Sequence, residues 1–246
     1  MKIYTQALAV MLMLITGSAM AQQVNIGGDT MLTPIEHASL MIQAGEKTIY
    51  IDPVGDAARY AAFPRPELIL ITHIHGDHFN AETIAAVKTT DTVVIGPENV
   101  IAQLGYGQVI KNDESTTALG VRIEAIPAYN LSPERMKFHP RGRDNGYVLN
   151  LDGQRIYLSG DTEDIPEMRS LQDIDFAVIC MNLPYTMTVE QAASAVLELK
   201  PKAVSPYHYR GPNGMSDLQE FQRLVGENPE IEVRLLDWYA QQPAAE

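Results

Sequence analysis

Short apolar blocks and apolar–polar alternation follow one another along this chain in an order that occurs twice. A first hairpin is predicted over 35–42 and 48–51, turning at Ala44-Gly45-Glu46 and closing on Asp52-Pro53, because apolar runs flank a turn-forming triplet. The apolar block at 68–72 predicts a buried strand. A helix opening at Asn80, a short strand over 92–95, a helix near 98–104 and a strand around 108–110 follow. The order then returns. A hairpin over 147–151 and 155–159 turns at Asp152-Gly153 and closes on Gly160-Asp161. It is followed by an apolar strand over 176–181, a helix over 188–199 stopped by Pro201, a strand over 203–205, a helix over 216–225 and a last strand over 232–236. Two halves of like order predict two mixed sheets packed face to face with helices outside, with matching strand ends meeting along one edge.

Composition narrows the function classes. With 31 acidic against 18 basic residues, the formal charge of −13 opposes binding to a nucleic-acid backbone or an anionic lipid surface. Cys180 is the only cysteine, so no intramolecular disulfide and no thiolate zinc site can form, and a metal here needs nitrogen and oxygen ligands. Residues 1–21 read as a secretory signal: Lys2 gives a positive start, 7–15 is apolar, and Ala19-Met20-Ala21 offers a cleavage site before Gln22. The alternative is an N-terminal membrane anchor, which the short apolar run disfavours. Export to the periplasm or the medium is the expectation, with one domain over 22–246 and no membrane attachment after cleavage.

The informative segment is Thr72-His73-Ile74-His75-Gly76-Asp77-His78-Phe79-Asn80. Three of the chain's six histidines fall within it, after a predicted strand and before a predicted helix. In an extended segment His73 and His75 point to one side, and Gly76 would permit a sharp turn carrying Asp77 and His78 to the adjacent flank. Imidazoles and a carboxylate aimed at two neighbouring points suit zinc first, with manganese or iron as alternatives.

His73-x-His75-x-Asp77-His78 resembles the signature loop of the metallo-β-lactamase fold superfamily of metal-dependent hydrolases. His37-Ala38-Ser39, Ile51-Asp52-Pro53, Gly160-Asp161-Thr162 and Pro206-Tyr207-His208-Tyr209 extend the likeness, the first two resembling the L-ascorbate-6-phosphate lactonase-like branch. The resemblance implies a four-layer αββα sandwich of two mixed sheets holding one or two divalent ions. It implies that His73 and His75 serve a first metal, that Asp77, His78 and His208 serve a second, and that Asp161 bridges them. The third histidine usual for the first metal is missing at Ala128-Tyr129-Asn130. Either His139 folds back to complete that site, or Asn130 binds through its carbonyl oxygen; His139 otherwise anchors its loop.

The expected chemistry is hydrolysis of a small ester, lactone or phosphoester by a hydroxide held on the metal, with Asp77 accepting the water proton or holding the hydroxide in line. Asn182 and Tyr185 leave a strand end on the same edge and are candidate substrate contacts, and Arg141, Arg143 and Arg210 could favour an anionic group. His37 either hydrogen-bonds backbone or orients Asp77, and Asp52 either supports the site or caps a turn. Cys180, in an apolar strand, reads as inert. Two other classes stay open. One is a metal- or ligand-binding protein without turnover, favoured by the Asn130 departure; the other is an iron-dependent redox protein. Oligomeric state is not legible.

Overall fold

A computed structural model describes residues 22–239. The expected signal over 1–21 lies outside them. The first sheet is built in sequence order from β1 (Val24–Gly27), β2 (Thr30–Glu36), β3 (Ser39–Ala44), β4 (Lys47–Ile51), β5 (Leu68–Leu70), β6 (Val93–Gly96) and β7 (Gln108–Val109). β1 to β4 are antiparallel, and β4 to β7 run parallel through crossovers that carry α1 (Ala81–Val87) and α2 (Glu98–Leu104).

The second sheet repeats this plan with β8 (Ser115–Ala118), β9 (Val121–Ala128), β10 (Asp144–Leu151), β11 (Gln154–Leu158), β12 (Phe176–Cys180) and β13 (Ala203–Tyr207). A ribbon of β14 (Arg210–Gly211) and β15 (Gly214–Met215) stands apart, and β16 (Glu232–Val233) closes the sheet beside β13. Helices α3 (Pro166–Arg169), α4 (Val189–Leu199) and α5 (Leu218–Val225) accompany this half. The predicted duplication is thus a duplication of topology.

Alternation along the strands makes the layers. In β3 to β5, Leu40, Ile42, Ile49, Ile51, Leu68 and Leu70 face one core with Ile123, Tyr147, Leu149 and Phe176 of the other sheet. Their neighbours Met41, Tyr50 and Ile69 face the opposite way, onto Ile84 and Val87 of α1 and Val100 and Ile101 of α2. On the far side Ala192 and Val196 of α4 and Phe221 of α5 cover the second sheet, completing four layers. α4 begins at Thr188, whose side chain accepts from the Gln191 amide while Gln191 returns to the Thr188 amide, and ends at left-handed Lys200 before Pro201.

Three expectations change. The strand over 35–42 breaks into the end of β2 and the start of β3, because His37 turns the chain in a left-handed conformation, φ 54°. The strand over 232–236 contracts to Glu232–Val233. The turn after His75 does not use glycine freedom: the amides of His78 and Phe79 both donate to the His75 carbonyl, and Gly76 is not left-handed and has open space around it.

Candidate metal centre

The chemistry-bearing side chains sit just beyond the carboxyl ends of parallel strands, where the chain leaves the sheet and its polar groups can point outward. Asp52 follows β4, His73 follows β5, Asp161 follows β11, Asn182 follows β12 and His208 follows β13. The sheets are joined here: the Asn145 amide donates to the Thr72 carbonyl at 3.0 Å, and the Tyr147 hydroxyl donates to that of Ile71 at 2.7 Å. His37, Asp52 and His208 all carry positive φ, a conformation rare for such residues and concentrated where function fixes the backbone.

Three groups of ligating atoms result, two of them sharing His73: His73 with His75 and His139; His73 with His78 and Asp161; and, separately, His37 with Asp77 and His208. His73 Nε2 lies 3.1 Å from His75 Nδ1. Asp161 stands between the groups, with Oδ1 3.4 Å from His78 Nε2 and Oδ2 3.4 Å from His139 Nε2 and 3.6 Å from His208 Nε2. His208 Nε2 lies 3.3 Å from Oδ2 of Asp77, whose side chain remains 47% exposed and so stays reachable from outside. Buried His78 Nε2, Asp161 Oδ1 and both ring nitrogens of His208 have no hydrogen-bond partner. Buried polar atoms are normally paired, so these unpartnered ring nitrogens around a carboxylate fit a divalent cation and fit an empty polar cavity badly.

Against its burial, Asp161 and Asp52 raise His78 well above the ordinary imidazole range, so a cation at this ring has to displace its proton. Burial, reinforced by His78, holds His73 well below the ordinary imidazole range, so it is neutral and offers a lone pair. Burial alone would raise Asp161, but the imidazoles of His208, His78 and His139 outweigh it and keep the carboxylate ionised. Asp77 is likewise held low by His208 and His37 against its burial. His37 is depressed to about 4, chiefly by burial.

Asp52 is wholly buried and accepts from the Thr72 amide at 2.7 Å, the Thr72 hydroxyl at 2.6 Å and His78 Nδ1 at 2.7 Å. This fixes the His78 ring with Nε2 toward Asp161, an orienting bond of the kind that tunes a ligating histidine. Asp52→Asn, which keeps the shape, should weaken cation binding about 10- to 100-fold. Asp52→Ala, which strands His78 and the Thr72 amide, should also cost about 3–5 kcal/mol of stability. Cation titration and denaturant unfolding of the two variants check this.

Of the two candidates for completing the first group, His139 stands among its imidazoles, while Asn130 has its side-chain nitrogen engaged by loop carbonyls and its carbonyl oxygen buried without a hydrogen-bond partner. His139 is buried, its Nδ1 3.1 Å from Asp144 Oδ2 and its ring 5.0 and 4.8 Å from those of His73 and His75. Asn130 donates its side-chain amide to the carbonyls of Arg135 and Tyr185, and its backbone amide to that of His139. It ties down the loop that delivers the histidine.

A cavity of about 320 Å³ opens on the centre, lined by His75, Asp77, Phe138, His139, Asp161, Asn182 and Tyr185. Both candidate substrate contacts are thus on its wall, and Phe138 packs edge-on against Tyr185. Arg143 is committed to both oxygens of Asp144 and to the Phe138 carbonyl, and Arg141 to Glu167. Arg210 lies over the Tyr239 ring. Cys180 is buried and its thiol is pushed up to about 12 by burial, which makes it inert. Sequence reasoning passed over Asp144 and Tyr239. Tyr239 carries no motif; Asp144 had a signal in its position at the start of a strand that follows His139 by five residues.

The pattern of a Beta-lactamase superfamily domain matches residues 31–208. The chain is 35% identical over 210 residues to the UPF0173 metal-dependent hydrolase of Thermococcus onnurineus, covering 79% of this chain and 92% of that one. A solved structure from Parabacteroides distasonis, of a candidate metal-dependent hydrolase, is 43% identical with a TM-score of 0.80, over 88% of this chain and 98% of that chain. CmlA, a diiron β-hydroxylase from Streptomyces venezuelae, shares the fold at 18% identity and a TM-score of 0.63, over 85% of this chain and 53% of that chain.

Proposed function

The chain belongs to the beta-lactamase superfamily and is a metal-dependent hydrolase, and on that premise we propose that it cleaves a small ester, lactone or phosphoester at the centre around Asp161. Asp161 carries the reading: one of its oxygens faces His78 and the other faces His139 and His208, as a carboxylate shared between two cations would. His73, His75 and His139 would hold the first ion, and Asp77, His78 and His208 the second. Zinc is the first choice from the nitrogen-rich donor set.

Held by these residues, a divalent ion would lower the pKa of a water toward 7 and would polarise the oxygen of the bond under attack. Asp77, which lines the cavity and is held ionised against its burial by His208 and His37, would align the attacking water; a carboxyl held so low is a weak proton acceptor, so alignment is the role its electrostatics support. Asn182 and Tyr185 would orient the substrate, and the aromatic wall of Phe138 and Tyr185 would exclude bulk water from it. The branch resemblance directs the substrate choice toward cyclic esters and phosphate esters rather than penicillin-type lactams. Export to the periplasm or the medium belongs to the same proposal, supported by the composition of 1–21; a mature N-terminus at Gln22 in mass spectrometry checks it.

The test is elemental analysis of protein purified without added metal, followed by a panel of lactone, carboxyl ester, phosphomonoester, phosphodiester and lactam. One or two equivalents of a divalent ion, with chelator-sensitive turnover of a lactone, ester or phosphoester, is the expected result. Bound metal without turnover across the panel would instead support a binding protein of this fold. An iron-only preparation inert toward the panel would support the redox alternative.

A further inference from the structure

We propose that Tyr239 sets the tautomer of His37 and that His37, through its ring proton, positions the carboxylate of Asp77 for the second cation. This rests on the reading of the centre given above. The Tyr239 hydroxyl oxygen accepts the Arg210 backbone amide at 3.2 Å and stands 2.7 Å from His37 Nδ1. A phenol has one proton to give, and His37 Nδ1 is the acceptor it has among the described residues. Nδ1 therefore carries the lone pair and Nε2 carries the proton. Nε2 lies 3.5 Å from Asp77 Oδ2, toward which it can donate. The opposite tautomer would aim a lone pair at a carboxylate oxygen.

The frame around this relay is tight. The His37 amide donates to the Trp238 carbonyl and the His208 amide to the His37 carbonyl, each at 3.3 Å. The rings of His37 and His208 are 3.9 Å apart, and both residues are left-handed. Asp77 is the most exposed member of its group, so the carboxylate that most needs holding is the one that His37 addresses. The turn between β2 and β3, the end of β13 and the segment around Tyr239 thus meet at one cation position. His37 is accordingly a positioning residue, donating to a ligand instead of serving as one.

The experiment is a cobalt(II) titration of the purified full chain, following the absorption bands of each site, for the wild type, Tyr239→Phe, His37→Gln and the double variant. Tyr239→Phe keeps the ring that packs on Tyr209 and under Arg210 and deletes only the hydroxyl. It should weaken the second cobalt about 10- to 100-fold, alter only that ion's bands, and leave the first within twofold. His37→Gln carries an amide donor that needs no tautomer, so it should stay within about fivefold of the wild type, and adding Tyr239→Phe to it should change nothing further. The proposal is overturned if Tyr239→Phe leaves both ions unchanged, weakens both equally, or costs as much in the Gln background as alone. A wild type that takes up fewer than two cobalt ions overturns the two-ion reading and this proposal with it; two ions with indifferent variants overturn this proposal only.

Discussion

Replacing His139 by alanine is expected to remove the cation shared with His73 and His75 and to lower hydrolysis by at least about a hundredfold. Loss of a group that merely orients a ligand costs 10- to 100-fold in affinity, so deleting one of three nitrogens should cost no less. A hundredfold loss is about 2.7 kcal/mol of binding free energy. The rest of the site should survive, because Asp144 keeps Arg143 as a paired charge after the imidazole is gone. Asn130→Ala gives the contrast. It cuts two side-chain hydrogen bonds to loop carbonyls, so it should cost about 1–3 kcal/mol of stability with metal stoichiometry unchanged. Elemental analysis after desalting, beside denaturant unfolding, separates the two. If Asn130→Ala lost the ion and His139→Ala retained it, the roles would be reversed.

The pair shows what the sequence could reveal. Asn130 stands where a ligand was expected, and nothing local says that its amide is occupied by the carbonyls of Arg135 and Tyr185; the second of these lies 55 residues away. That His139 swings over the same edge depends on β9 and β10 being paired from Arg122 with Asn150 to Ala128 with Asp144, which presents 129–143 as one loop above the strand ends. The β9 alternation was present in Val121, Ile123 and Ala125 facing inward, but the turn feeding it, left-handed Leu119-Gly120, lacks the Asn-Gly or Asp-Gly signal and the hairpin went unread. By contrast, β4, β11 and α4 were legible because both their periodicity and their stop signals are local. The site histidines of the first loop were legible for the same reason.

His37 was harder for a different reason. An apolar run on both sides made 35–42 look like one strand, and only tertiary pairing of Pro34 with Leu40 and Glu36 with Ser39 reveals a tight reversal. Its relation to Tyr239 spans 202 residues. A residue whose role is set by contacts so distant in sequence leaves no pattern to read; Asp52, reaching His78 across 26 residues, is an intermediate case that a strand-end position could only suggest.

Chelation should produce the largest change in stability. The centre gathers His73, His75, His78, His139 and His208 around Asp161, with ring nitrogens of His78 and His208 and one oxygen of Asp161 left without a hydrogen-bond partner. A ligand that binds only the folded chain stabilises it by RT ln(1 + [L]/Kd), or about 4.1 kcal/mol when the free ion is at a thousand times Kd. For a chain of this size each kcal/mol moves Tm by about 2–4 °C, so stripping one ion should lower Tm by about 8–16 °C. The second ion should add a separate decrement, because the two groups share Asp161 but otherwise use different side chains. Differential scanning of the purified protein before and after chelation, with stepwise return of zinc, measures this directly. Two increments on refilling would match a bridging Asp161; Asp161→Asn should then merge them into one smaller rise, since an amide bridges two cations poorly. A Tm indifferent to chelator would mean that the cluster is held by the protein alone, and the reading of Asp161 as a shared ligand would fail with it.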